Sequence, residues 1–409
     1  MAVVRPLLEP VDDSDALISL RAGLGAVRGV RLAGVHAGIK PRKRDLALIV
    51  FDGPQQCAAV VTTNDVKAAP VLVSARHLAT SPAMRALVCN SGCANACTGE
   101  RGLRDAEATA AQTAALIGAA AEAVVVASTG VIGVPLPMDR VNAGLERAVL
   151  QLEGGAKAAH DAAEAILTTD RVPKLSAYAF YDRGRRYAVG GIAKGSGMIA
   201  PNMATMLAFL ATDFPIAGDA LQALLRDAAD ASFNMISVDG DMSTNDAVYA
   251  FSSPGEDRVP PAFARALARV CDDLARAMVA DGEGATKALE VRVTGARDVH
   301  QARTLARAIV NSNLVKTALF GEDPNWGRIV AAAGSARAGM DARRWSLSIG
   351  GTPWVESGTE LLDEARARRA LEEANVGIEL DVRLGEAEAT AWGCDLSHDY
   401  VRINASYRT

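Results

Sequence analysis

The chain has 409 residues, half of them hydrophobic and 4% aromatic, so it is long enough for two or three domains and too apolar for global disorder. A net charge of −5 argues against a general nucleic-acid-binding role, which needs a basic face. No apolar run reaches the length of a membrane span and no basic-then-apolar signal opens the chain, so a soluble cytoplasmic protein is expected, with no membrane partner.

In chain order, strand-length apolar runs fall at Leu46–Asp52, Cys57–Thr62, Ala86–Cys89, Val124–Ala127, Ala177–Asp182 and Thr205–Thr212. Helical stretches lie between them. Arg104–Ala121 is alanine-rich, and Asp139–Leu152, Asp219–Ala231 and Pro261–Ala280 carry the 3.6-residue apolar spacing. Pro261 stands in the first turn, where a missing N–H costs nothing. Strands alternating with helices predict α/β or α+β layers. The last third predicts strand Leu289–Thr294, helix Arg303–Asn311, strand Trp345–Ile349 and helix Leu362–Asn375. After these, Gly377–Leu384 and Ala387–Cys394 read as a hairpin turning at Gly385-Glu386, and Tyr400–Ile403 as a terminal strand. The composition shift places a domain boundary near Asp281–Gly284, dividing residues 1–282 from a smaller α+β unit at 283–409.

Several motif readings fail on spacing. Cys89, Cys93 and Cys97 lack the x2 step and fourth ligand of an iron–sulfur site, and no Cys-x-x-Cys serves zinc. The six cysteines read as free thiols and the five histidines as scattered, so no metal is expected. Asp239-Gly240-Asp241-Met242-Ser243 starts like a calcium loop, but Thr244 and Ala250 stand where glycine and glutamate are needed. Gly195-Ser196-Gly197-Met198-Ile199-Ala200 fits Gly-x-Gly-x-x-Ala, yet Pro201 follows at once and Lys194 precedes the glycines, the wrong order for a phosphate loop.

Read further, Lys194-Gly-Ser-Gly-Met-Ile-Ala-Pro-Asn-Met-Ala-Thr-Met-Leu207 resembles the ornithine acetyltransferase family, also called glutamate N-acetyltransferase. The resemblance spans the chain. It includes His36-Ala-Gly-Ile-Lys40, Thr62–Pro70, Asn90–Gly99, Ser128-Thr-Gly-Val-Ile-Gly133, Thr168-Thr-Asp170, Ser237–Asp246, Asp281-Gly-Glu-Gly-Ala-Thr-Lys287, Phe320–Arg328 and Tyr400–Thr409. It implies a central sheet-and-helix sandwich of the self-cleaving type, cut between Ala204 and Thr205 into an α chain of 204 residues and a β chain of 205. The new N-terminal threonine is then the nucleophile, and two chains of each kind make the assembly.

The chemistry fits the residues. A threonine hydroxyl needs a base, and an N-terminal threonine carries one in its own α-amine, with a reference pKa of about 8. Ala204 crowds the attacked carbonyl little. Standing alone, Thr205 reads as a strand residue with a buried hydroxyl. Thr129-Gly130 follows an apolar strand and matches the family's oxyanion hole, a hydroxyl and a backbone N–H. Lys194 is a candidate partner for a substrate carboxylate and Glu283 for a substrate cation. Thr168, Asn404 and Thr409 match the family's other substrate contacts. The implied substrates are N-acetylornithine and glutamate. No cofactor is implied, and acetyl-CoA enters as a substrate only if the enzyme is bifunctional. Two other readings stay open: an aminopeptidase or amidase with water as acceptor, and a nucleotide-binding module using Gly195–Gly197.

Overall fold

The computed structural model describes residues 17–80, 83–200, 206–361 and 363–406. Ala204, Thr205 and Thr409 lie outside the described residues.

The larger sheet contains β1 (Ile18–Ser19), β2 (Val30–Val35), β3 (Leu46–Val61), β4 (Met84–Cys93), β5 (Val124–Val131), β6 (Lys174–Asp182), β7 (Arg185–Lys194), β8 (Leu207–Thr212) and β9 (Ala247–Ser252), ordered β1-β6-β7-β8-β9-β3-β4-β5 with β2 on β3. The runs at Leu46–Asp52 and Cys57–Thr62 are one continuous strand. The first half of β3 pairs with β2 and β4, and the second half with β9, so β3 joins two half-sheets.

The half-sheets stack face to face, which explains the unbroken apolar runs. On β3, Ala47, Ile49 and Phe51 point into a core shared with Ile192 of β7, Phe209 of β8, and Tyr249 and Phe251 of β9. Leu46, Leu48 and Val50 point the opposite way. There they meet α2 (Gly99–Ile117) and α3 (Met138–Leu150), while α1 (Ala69–Thr80) packs on the same layer. A strand buried on both faces loses the period-2 alternation. The outer face of the other half-sheet is covered by α5 (Gly218–Ala231) and α6 (Pro261–Ala280). The expected sheet-and-helix sandwich is therefore present as four layers, helix–sheet–sheet–helix.

Small residues set its thickness. Helix α4 (Ala156–Ala165) buries Ala158, Ala159, Ala162 and Ala163 in the central core. It lies so close to β2 that a Cβ on Gly34 would run into the Asp161 carbonyl.

The second sheet is ordered β13-β12-β11-β14-β10-β15, with β10 (Ala288–Ala296), β11 (Ser346–Ile349), β12 (Thr352–Glu356), β13 (Thr359–Glu360), β14 (Asn375–Asp381) and β15 (Ala387–Cys394). Helices α7 (Val299–Val310), α8 (Asn313–Phe320), α9 (Trp326–Ser335) and α10 (Glu364–Glu372) accompany it. Its apolar face joins the core under α6 without a break, through Leu289, Val291 and Val293.

Two expectations are corrected here. The hairpin of Gly377–Leu384 with Ala387–Cys394 does not form. Strand β10 lies between β14 and β15, parallel to the first and antiparallel to the second. The Gly385 turn instead wraps the end of β10, where the N–H groups of Leu384 and Gly385 both donate to the Gly295 carbonyl, at 2.6 and 2.8 Å. A Cβ on Gly385 would meet the backbone of Ala296, so the glycine serves a close approach. The terminal strand at Tyr400–Ile403 is also wrong. Those residues lie in α11 (His398–Ser406), which buries none of its side chains. Polar tethers, Asn404 to Glu283 and Tyr400 to Asp239, join it to the rest of the fold.

Candidate active site

A cavity opens where the half-sheets meet, at the ends of β5 and β7 and beside the head of β8. Thr129, Gly130, Thr168, Lys194, Glu283 and Asn404 all line it. Six predicted site residues, spread over 276 positions of sequence, thus face one space. Thr205 precedes Met206, and Leu207 opens β8 paired with Lys194.

Lys194 is 2% exposed at the end of β7. Its ammonium donates to the Thr168 hydroxyl at 2.9 Å and to Thr129 Oγ1 at 3.4 Å. A hydroxyl that accepts from an ammonium keeps its own proton free to donate elsewhere. Behind Lys194 lies Asp170, fully buried, 3.9 Å from the ammonium. Asp170 also accepts from Lys174 at 2.7 Å, from the Gly195 N–H at 2.7 Å and from the Thr168 N–H at 3.1 Å. Burial alone would raise its pKa, but the Lys194 and Lys174 ammonium groups outweigh it and hold the carboxyl below its usual range. Lys174 is shared in turn with Asp281, at 2.7 Å. This chain of alternating charges fixes the position of Lys194.

The cavity is also lined by three acidic side chains, Glu283, Asp239 and Asp241. The Asn404 amide donates to Glu283 Oε2 at 2.8 Å, and Tyr400 Oη donates to Asp239 Oδ2 at 3.2 Å. These two bonds tie α11 to the lining of the cavity. Burial pushes the Asp239 carboxyl up, against the N–H groups of Met198 and Ile199 that donate to it at 2.6 and 2.8 Å. Burial and the neighbouring Asp239 carboxylate push the Tyr400 phenol up as well. The segment that begins like a calcium loop therefore spends Asp239 on backbone caps.

Sequence reasoning missed Asp170, Asp239 and Tyr400 as individual participants. Each sits inside a motif quoted above, so the segments were visible while the roles were not. A phosphate reading of Gly195–Gly197 meets an unfavourable surface: the Gly195 N–H already serves Asp170, and a Cβ on Gly197 would stand 2.6 Å from Glu283 Oε1. All six cysteines are free thiols. Among the described residues one group, His160, Asp161 and Glu164, has metal-like proximity. Arg44 pairs with both of its carboxylates at 3.2 Å and Lys157 pairs with Asp161 at 2.9 Å, so cations already occupy it. No described helix is long and apolar enough to cross a membrane.

Gly130 has φ +130°, and a Cβ there would lie 2.6 Å from the Cys93 nitrogen, where the β4–β5 ladder is irregular. Gly130→Ala is expected to cost about 2–4 kcal/mol through strain and overpacking. Urea unfolding of the variant measures it; an unchanged midpoint would show that the strands part freely here.

A model of the ArgJ family matches residues 31–409. The arginine biosynthesis bifunctional protein ArgJ of Symbiobacterium thermophilum is 50% identical over 404 residues, covering 95% of this chain and 99% of that one. The protein of the same description from Geobacillus kaustophilus is 46% identical over 392 residues, with 93% and 95% covered. A solved ornithine acetyltransferase from Mycobacterium tuberculosis, complexed with ornithine, is 45% identical over 46% of this chain and 98% of its own, with a TM-score of 0.43. With a family model over nearly its whole length and half of its residues shared with a full-length relative, the chain belongs to the ArgJ family.

Proposed function

We propose that the chain transfers an acetyl group from N-acetyl-L-ornithine to L-glutamate through an acetyl ester on Thr205, after cutting itself between Ala204 and Thr205. The observation that carries this reading is the gathering of Thr129, Gly130, Thr168, Lys194, Glu283 and Asn404 around one cavity beside the head of β8. The cavity is lined by one buried cation, Lys194, and by the carboxylates of Glu283, Asp239 and Asp241. That polarity suits a donor with a carboxylate at one end and an ammonium at the other.

In this reading the Thr205 α-amine takes the hydroxyl proton as Oγ1 attacks the acetamide carbonyl. The Thr129 hydroxyl and the Gly130 N–H hold the oxyanion. The proton passes to the departing α-amine of ornithine as the C–N bond breaks. Glutamate then attacks the acetyl ester with its own α-amine and leaves as N-acetylglutamate, restoring Thr205. Lys194 and Thr168 hold the substrate carboxylate and Glu283 the side-chain ammonium, with Asn404 and Thr409 completing the contacts. Helix α11 keeps water from the ester. The mature protein is read as two α and two β chains, with residues 283–409 as a smaller unit on the β chain.

The test measures ornithine release with and without glutamate. Release that needs glutamate supports the transferase; equal release without it favours a self-processing amidase. Replacing N-acetylornithine by acetyl-CoA tells whether the enzyme is also a synthase. Glu283→Gln is expected to raise KM for N-acetylornithine about 30-fold, the size of one lost buried charge partner, with a smaller change for glutamate. An unaltered donor KM would remove Glu283 from the cation site.

A further inference from the structure

Strand β5 ends the order of the larger sheet, so one of its edges is covered by no strand among the described residues. Backbone groups on such an edge need other partners. Side chains supply them at every second residue, the period of a strand. From α1, His77 Nδ1 donates to the Val124 carbonyl at 2.8 Å, and the Ser74 hydroxyl donates to the Val126 carbonyl at 2.7 Å and accepts the Val126 N–H at 2.9 Å. The Ser128 carbonyl is next, and it accepts from the Asn245 amide at 2.8 Å. Two positions further on stands Gly130, which lines the cavity.

Asn245 lies just before β9, in the polar run of residues 237–246, and is 6% exposed. Its amide nitrogen donates twice, to the Ser128 carbonyl and to the Ala94 carbonyl at 2.7 Å. Carbonyls only accept, so the nitrogen and not the oxygen of the amide must face them. The amide oxygen accepts from the Thr244 hydroxyl at 2.6 Å. The run that carries Asn245 is itself held: the Thr244 carbonyl accepts the Ala68 N–H at 2.9 Å, and Ser243 Oγ accepts the Asn245 N–H at 3.0 Å. Ala94 in turn donates its N–H to the Val131 carbonyl at 2.9 Å. One side chain thus ties Ser128 directly, and Val131 through Ala94, to the head of β9.

We propose that Asn245 is a positioning residue for acetyl transfer, its amide bracketing Thr129 and Gly130 between Ser128 and Val131 and so fixing the aim of their donors. The inference rests on the proposed function, in which the Thr129 hydroxyl and the Gly130 N–H hold the oxyanion. Such donors are effective because they are fixed before the charge develops. The local backbone needs a fixture, since Gly130 has φ +130° and the β4–β5 ladder is irregular beside it. Both amide hydrogens of Asn245 are used on carbonyls, so it acts through the strand and not on the substrate.

Asn245→Leu keeps the branched shape and removes both donors. The kcat of acetyl transfer is expected to fall about 100-fold, the effect of a misplacement of about 1 Å at the reacting centre. KM for N-acetylornithine and for glutamate should stay in place, as for an interaction made only in the transition state. A positional readout accompanies the rate. With N-acetylornithine labelled by carbon-13 at the acetyl carbonyl, and no glutamate, the infrared difference band of the enzyme-bound ester in the wild type lies below that of a free ester, because the oxyanion donors polarise the carbonyl. In Asn245→Leu the band is expected to move up toward the free-ester position. A merely structural role would lower the yield of folded enzyme and leave the band in place, and an unmoved band overturns the assignment whatever the rate. Should Asn245→Leu fail to fold, Thr244→Val decides, because it removes the hydroxyl that holds the amide oxygen and keeps the shape of threonine. A raised band with a lower kcat at constant KM supports the role, and unchanged values refute it. An active wild type that shows no ester band would defeat the covalent reading and this inference with it. A polarised band in the wild type that stays unmoved in the variant defeats only the role of Asn245.

Discussion

Thr205→Ala is expected to give a single 42.6 kDa chain on denaturing electrophoresis, whereas the wild type is expected to separate into pieces of 204 and 205 residues. Its acetyl-transfer rate falls by at least about 10⁴-fold, the scale on which loss of a covalent nucleophile is felt. Two losses combine, because the alanine can neither attack the preceding carbonyl nor accept the acetyl group. Thr205→Ser keeps a hydroxyl and should retain part of both activities. Intact-mass measurement settles the bond that is cut, and residual transfer by the alanine variant would remove Thr205 from the chemistry. Folding should survive, since Met206 and Leu207 keep their bonds to Asp246, β7 and β9.

Asp170→Asn is expected to destabilise the protein by about 3–5 kcal/mol, because it takes the anion out of a buried network whose cations stay behind. Lys174 keeps Asp281, but Lys194 loses its nearest described carboxylate. Urea unfolding at neutral pH measures the cost. The pH dependence has a definite sign. A carboxyl whose folded pKa is depressed stabilises the fold fully above its unfolded value, about pH 4, and the contribution is lost as pH falls through the lower folded value. The wild type should lose this contribution in that acid range, and the variant should lack that component. Transfer should weaken too, because Lys194 is oriented from behind. A variant as stable as the wild type would mean that the network costs as much in desolvation as it returns.

Much of the site was legible as motifs and little of it as geometry. Thr129, Gly130, Thr168, Lys194, Glu283 and Asn404 came from resemblance to a family, and the fold brings them to one cavity. Without that resemblance, each carried an ordinary local reading. Thr129-Gly130 resembles any turn after a strand, and Asn404 any polar residue near a chain end. Asp170 and Asn245 were harder still. A buried polar side chain gains its role from what surrounds it, here Lys174 and Lys194 for one and the Ala94 and Ser128 carbonyls for the other, and those partners lie up to 151 residues away.

Local chemistry by itself determined the helix at Pro261–Ala280, whose apolar stripe and opening proline require no partner to be recognised. It also determined the doubly buried strand at Leu46–Phe51 and the closeness of the layers, through abundant alanine and glycine. Only the tertiary structure decided that Leu46–Val61 is one strand serving both half-sheets, that β10 enters between β14 and β15, and that Tyr400–Ile403 is helical. The physical reason is common to all three. Apolar period and turn residues report which face of a segment is buried, whereas pairing partners and polar tethers are chosen by groups far away in the chain, such as the Gly295 carbonyl for Gly385 and Glu283 for Asn404.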